Sequence, residues 1–183
     1  MTTDPKSVGW GLGRFLRFAL REILIPLTLA IVLALFIQAT VAKPYEIPTG
    51  SMMPTIRPEE RVLANRFIYH FQDVERGDII VFNPPARLNS SVPFVKRVVG
   101  LPGDLIEVRE GQVLLNGEPF EVEGATVPEY GYPARRVPDD KLFVLGDNRN
   151  NSVDSHEWDF LPLNSVIGEV FMTYWPPNRI RFL

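Results

Sequence analysis

Twenty consecutive residues, Ile23 to Ala42, carry no charge, and only Thr28, Gln38 and Thr40 among them are clearly polar. At a helical rise of ~1.5 Å per residue such a run spans ~30 Å, the thickness of a bilayer core. A buried helix of a soluble domain would show a polar face, and this run shows none. A cleaved signal peptide would have an apolar region of only ~7–15 residues, ending on a small-x-small pair. Ala39-Thr40-Val41-Ala42 offers no clean pair of that kind directly before Lys43. The run therefore predicts a retained transmembrane helix over 23–42. Pro26 falls in its first turn, where a missing N–H costs little. Trp10 and Tyr45 are candidates for the two membrane interfaces.

Charge orients this anchor. Lys6, Arg14, Arg17 and Arg21 precede it, whereas only Lys43 and Arg57 follow closely. The positive-inside rule then places residues 1–22 in the cytoplasm and residues 43–183 outside, on a single-pass protein of the plasma (inner) membrane. Residues 1–42 have a net charge of +2 and the remainder −5. An acidic main domain without a basic stripe excludes nucleic acid as a partner. The chain has no cysteine, which removes disulfides, thiolate nucleophiles and cysteine metal sites together.

Beyond the anchor the pattern has the two-residue period of strands. Residues 61–69, 78–82, 92–99, 105–108, 113–115, 141–145 and 166–175 read as strands. Pro102-Gly103 signals a type II turn, and Asn116-Gly117 a two-residue hairpin. Residues 118–140, rich in Pro, Gly and Glu, read as a loop-rich part of an insertion spanning about 105–140. No helix longer than a turn is expected here. The fold class is mainly β: one N-terminal transmembrane helix, then a coiled sheet or barrel-like domain with a short β insertion.

Several chemistries lack their parts. His70 and His156 are the only histidines, there is no H-E-x-x-H, and neither phosphate-binding glycine pattern is present. No metal or cofactor is expected. The stretch Ile47 to Thr55, I-P-T-G-S-M-M-P-T, sets Ser51 between Pro48 and Pro54 on a stiff, non-helical connection. By itself it reads equally as a polar linker or as a presented serine. Asp154 and His156 could complete a triad with some serine, although they lie in one loop. A lysine is the other possible base. It must be neutral to act, and burial in an apolar strand lowers its pKa. Lys96, in F-V-K-R-V-V, is the best candidate; Lys43 and Lys141 look solvated. Lys96 also reads as a strand lysine on a polar face. By alternation, however, Lys96 and Arg97 point opposite ways, so one of them faces inward unless the strand twists out. The polar run from Gly146 to Glu157 reads either as a loop satisfying its own backbone or as a scaffold for such a lysine.

With these pieces placed, the chain resembles bacterial type I signal peptidases, the Ser-Lys endopeptidases that remove signal peptides from exported proteins. The resemblance rests on the anchor and four motifs in order: I-P-T-G-S-M-M-P-T (47–55), R-G-D-I-I-V-F (76–82), K-R-V-V-G-L-P-G-D (96–104) and G-D-N-R-N-N-S-V-D-S (146–155). It implies Ser51 as nucleophile and Lys96 as general base, with the Ser51 amide and the Thr49 hydroxyl as oxyanion hole. It implies that Ser152 hydrogen-bonds the Lys96 amine, that Asp147 pairs with Arg97, and that Asp154 supports the site. Ile47, Pro48, Met52, Ile56, Phe94 and Val95 would line shallow pockets that accept small side chains of an A-x-A type substrate. That substrate would lie extended beside residues 44–48 and 93–96. The implied partners are signal peptides of exported preproteins and the lipid bilayer; oligomeric state is not implied. Two positions depart from the common pattern. His156 stands where arginine is usual, so a charged pair with Asp154 requires its protonation. Asn150 stands where aspartate is frequent.

Overall fold

The computed structural model describes residues 6–183, with only part of the side chains between 6 and 41. The first five residues of the segment expected in the cytoplasm, and the Trp10 side chain, lie outside what is described. The chain divides into two compact units, Met1–Val41 and Ala42–Leu183.

The first unit is helical: α1 (Lys6–Phe18), a π turn (Ala19–Leu24) and α2 (Ile25–Val41). The expected span of 23–42 is thus not one α-helix. The wider hydrogen bonding of the π turn takes in Ile23 and Leu24, and Ala42 already belongs to a strand. This leaves α2 with 17 residues, a rise of about 26 Å. Among the described residues no helix is long and apolar enough to cross a membrane.

The second unit is built from strands β1 (Ala42–Glu46), β2 (Arg61–Asn65), β3 (Ile79–Phe82), β4 (Phe94–Gly100), β5 (Leu105–Arg109) and β6 (Gln112–Leu115). They are followed by β7 (Glu118–Pro119), β8 (Tyr132–Arg136), β9 (Lys141–Leu145), β10 (Leu161–Pro162), β11 (Val166–Trp175) and β12 (Arg181–Phe182). The larger, 8-stranded sheet has the order β1-β2-β11-β3-β4-β9-β10, with β12 added to β11. The smaller, 4-stranded sheet has the order β7-β6-β5-β8. All recorded pairings are antiparallel. Register shifts in β11 against β2 and β3 mark bulges, which bend a strand and curl its sheet.

Strand β3 shows why the larger sheet holds. Ile79 and Val81 enter one apolar cluster with Ile47, Met52, Ile56 and Val62. Ile80 and Phe82 enter another with Val98, Leu142 and Trp158. Both faces are covered, so the strand reads as an unbroken apolar run rather than an alternating one. Strand β9 divides likewise: Leu142 and Val144 join the second cluster, while Phe143 and Leu145 join a third. That third cluster contains Ile106, Val108, Val113 and Tyr132, and it bonds the smaller sheet to the larger.

Three strand expectations change. The strand expected over 61–69 stops at Asn65, whose side-chain Oδ1 accepts the Phe67 N–H at 3.0 Å and turns the chain into a 3₁₀ turn at Ile68–His70. The strand expected over 92–99 begins at Phe94 and runs to Gly100. Residues 118–140 are not all loop, because β8 pairs there with β5. Asn116 and Gly117, at φ 54° and 90°, make the hairpin their identity signals. Glu110 and Gly111, at φ 53° and 77°, make a similar turn without that signature.

Candidate active site

After β1 the chain runs extended through Ile47–Thr49 and then coils into one 3₁₀ turn, Gly50–Met52. Backbone bonds between Ile47 and the Glu59–Glu60 segment, at 2.8 and 3.0 Å, close the loop behind it. The first residues of such a turn leave their N–H groups unpaired by the helix, and Ser51 is one of them. Its side chain, only 8% exposed, points toward β4.

Lys96 comes from the middle of β4, opposite Ile80 of β3, and is 4% exposed. Its Nζ donates to Ser51 Oγ at 2.6 Å. Burial lowers its pKa from 10.5 to about 8; the carboxylates of Asp154 and then Asp147 act in the opposite direction. The consequence is large. At pH 7 roughly one lysine in ten is neutral with a pKa near 8, against about one in three thousand at 10.5. Thr49 Oγ1 lies 3.3 Å from Ser51 Oγ, so both hydroxyls face the same point.

Arg97 projects from the opposite face of β4 and grips Asp147 with two bonds, at 2.9 and 2.8 Å. Asp147 is fully buried and also accepts Thr55 Oγ1 at 2.5 Å. Asp154, equally buried, accepts the Gly146 N–H at 2.8 Å, caps the one-turn helix α3 (Ser155–Trp158) and meets His156 Nδ1 at 2.7 Å. The loop between these two carboxylates is locked to the serine turn. Asn148 donates its backbone N–H to Ser51 O and its side chain to Gly50 O, each at 3.0 Å. A Cβ on Gly146 would overlap both Ser51 O and Ser152 Oγ, so only glycine permits this approach.

Two expectations are corrected. Ser152 is buried beside Gly146, but its Oγ has no hydrogen-bond partner; the Lys96 amine bonds Ser51 instead. Ile56 does not line the site. Its N–H bonds Met52 O at 2.9 Å, which turns its side chain into the core, where it is completely buried. Ile47, Pro48, Met52, Phe94 and Val95 do line a cleft of about 770 Å³ that opens at Ser51.

Sequence reasoning missed the groups that hold the far wall of this cleft. Thr126 donates its N–H to Asp147 O at 2.9 Å, and its hydroxyl accepts the Arg149 N–H at 2.7 Å. Asn150 bonds Val127 O and Glu129 N, at 2.9 and 2.8 Å. Tyr130 stacks on His156 with ring centroids 3.9 Å apart. Only the polar density of residues 146–157 hinted at such a scaffold; nothing local marks Thr126 or Tyr130.

Residues 20–175 match the family model described as signal peptidase, peptidase S26. The chain belongs to this family. The matched stretch contains the serine turn, β4 and the polar loop together. The chain is 44% identical over 158 residues to a signal peptidase I of Leptolyngbya laminosa, covering 83% of this chain and 78% of that one. It is 33% identical over 168 residues to signal peptidase I S of Bacillus subtilis, covering 85% and 89%. A solved signal peptidase I of Enterococcus faecalis is 28% identical, with a TM-score of 0.45 over 54% of this chain and 97% of that one. The S26 membership makes this chain a serine endopeptidase of the signal peptidase I kind.

Proposed function

We propose that this chain removes N-terminal signal peptides from exported preproteins by a Ser51–Lys96 mechanism. The observation that carries the reading is the 2.6 Å contact between a buried lysine amine and the hydroxyl at the mouth of the cleft. Neutral Lys96 takes the Ser51 proton as Oγ attacks the scissile carbonyl. The Ser51 N–H and the Thr49 hydroxyl hold the developing oxyanion, each such donor contributing ~2.7–4 kcal/mol. Protonated Lys96 then donates to the leaving amine and, neutral again, activates water for deacylation. Arg97, Asp147 and Asp154 fix β4 and the loop around this pair. Ser152 borders it through Gly146.

Ile47, Pro48, Met52, Phe94 and Val95 floor the cleft with apolar surface, so small side chains before the cut suit it. Strand β1 is an edge of its sheet, and an extended substrate would add to it through main-chain hydrogen bonds. The membrane is the second partner. Every described large apolar side chain from Ile23 to Leu35 is more than half exposed. A helical run apolar on all sides is covered by lipid rather than by water. With the basic flank inside, residues 43–183 lie on the outer side, to which exported preproteins are delivered.

The test uses the full chain in detergent with a preprotein, and the new N-terminus of the product is mapped. Cleavage after a small-x-small site, lost in Ser51→Ala and lowered ~10²–10⁴-fold in Lys96→Met, is the expected result. Undiminished cleavage by either variant removes that residue from the mechanism. No cleavage by the unsubstituted chain leaves an anchored binding module in place of an enzyme.

A further inference from the structure

Five buried side-chain polar atoms have no hydrogen-bond partner among the described residues, and three of them belong to residues lining the same cleft: Tyr130 Oη, Arg149 Nε and Ser152 Oγ. Buried donors are nearly always bonded in folded proteins, so such a concentration calls for an explanation. Ser152 lies at the reacting serine. Tyr130 and Arg149 form a separate group on the far wall.

Arg149 is the more telling of the two. Its side chain is 3% exposed, and no carboxylate among the described residues pairs with it. The nearby buried acids are engaged elsewhere, Asp147 by Arg97 and Asp154 by His156. Burial weakens the hold of the guanidinium on its proton. The Tyr130 phenol in turn is pushed well above its ordinary value by burial, so it remains an O–H donor. The Tyr130 side chain is held from behind, and Arg149 is held through its backbone. Tyr130 stacks on His156, which Asp154 fixes, and the Arg149 backbone is pinned by Thr126. A buried guanidinium without a carboxylate partner and a phenol O–H donor, both from residues lining a cleft that receives polypeptide, are the donor set that recognises a carboxylate.

We infer that Tyr130 and Arg149 form an acid-binding subsite that selects an aspartate or glutamate side chain of the cleaved polypeptide near the scissile bond. This rests on the signal-peptide reading of the cleft. It adds a charged preference to a floor that otherwise selects only small apolar residues. Glu129 and Glu157 rim the same cleft. They repel acids that do not reach the fork, which restricts the preference to one substrate position.

The experiment is a peptide series built on one cleavable sequence, with Asp or Asn placed in turn at each of the positions flanking the cut. The quantity read is the ratio of kcat/KM for the Asp peptide over its Asn counterpart within each enzyme form, so a general loss of activity does not move it. At one position the unsubstituted enzyme should favour Asp about tenfold. The ratio should fall to one or below in Arg149→Met, recover in part in Arg149→Lys, and drop in Tyr130→Phe, which keeps the stack on His156. If Arg149→Met does not fold, Tyr130→Phe decides alone. Peptides that are cut with no Asp preference anywhere, or a preference that survives in Tyr130→Phe and Arg149→Met, overturn the subsite and leave the enzyme reading standing. Peptides that are not cut at all overturn the reading beneath it.

Discussion

The two sheets of the β unit share an apolar cluster, yet they handle polar groups in opposite ways. The smaller sheet buries apolar side chains, Ile106, Val108, Val113 and Leu114 among them, and Arg135 and Arg136 of β8 are exposed. The larger sheet and its loops bury Ser51, Lys96, Asp147, Arg149 and Asp154. Burying a charge is costly unless it is paired, or unless it can shed its proton. The larger sheet uses both routes. Arg97 pairs with Asp147, whereas Lys96 is held with a weakened grip on its proton. The smaller sheet bears no such cost and contributes shape, delivering Tyr130 to the cleft through the loop before β8. Chemistry is concentrated where burial changes ionisation, and the wall is built where burial is plain packing.

The sharpest way to break this contrast is to remove a paired charge from the larger sheet. Asp147→Ala leaves Arg97 and Thr55 without their shared acceptor, and the Arg97 side chain is only 15% exposed. Breaking a buried pair from one side costs ~3–5 kcal/mol. Urea unfolding of the full chain in detergent should show a loss of that order, with activity falling as the 146–156 loop loosens. A loss under about 1 kcal/mol would mean that the pair is no more than a surface salt bridge.

The second test concerns ionisation. Lys96 acts when neutral, and its folded pKa is about 8. kcat/KM should therefore rise through about pH 8 to a plateau and at pH 6 stand roughly a hundredfold lower, a decade for each unit below the midpoint. Asp154 is the larger of the two charges that hold the Lys96 proton on. Its neutralisation in Asp154→Asn should move this limb to lower pH. A limb that stays in place in Asp154→Asn, or lies near pH 6.5 in the unsubstituted enzyme, would assign the titration to another group.

The contrast also explains what could be read from residues alone. The apolar run of β3 and the Asn116-Gly117 turn are local signals, and both lead to the elements found. The opposed directions of Lys96 and Arg97 follow from strand alternation, which needs no tertiary knowledge. Strand β8 does not announce itself. Tyr132-Pro133-Ala134-Arg135-Arg136 is mostly polar and contains a proline, which an edge strand tolerates. Its pairing with β5 is a long-range event. Ile56 and Met52 are equally apolar in sequence and share one buried cluster, and only the fold of the serine turn makes Met52 border the cleft as well. Ser152 shows the same limit in another form. Its place beside the site is readable, but the expected bond from its hydroxyl to the Lys96 amine is not formed. The π turn that takes in Ile23 and Leu24 and shortens α2 has no signature in the residues it spans.

The smallest expected effect bears most directly on the division of labour. Ile106 of β5 packs where the sheets meet: a Cβ on Gly100 of β4 would come within 2.8 Å of its Cδ1, and Phe143 lies alongside. Ile106→Val removes that methyl from a closely packed contact at a cost of ~0.5–1.5 kcal/mol. The contact is apolar, and no ionised group changes its surroundings. The thermal midpoint should fall slightly, while the pH at which kcat/KM reaches half of its plateau stays fixed. Were the half-plateau pH to move with this methyl, the strain would be passing from the smaller sheet through β4 to Lys96, four residues along the same strand. The wall and the chemistry would then be one cooperative structure rather than two.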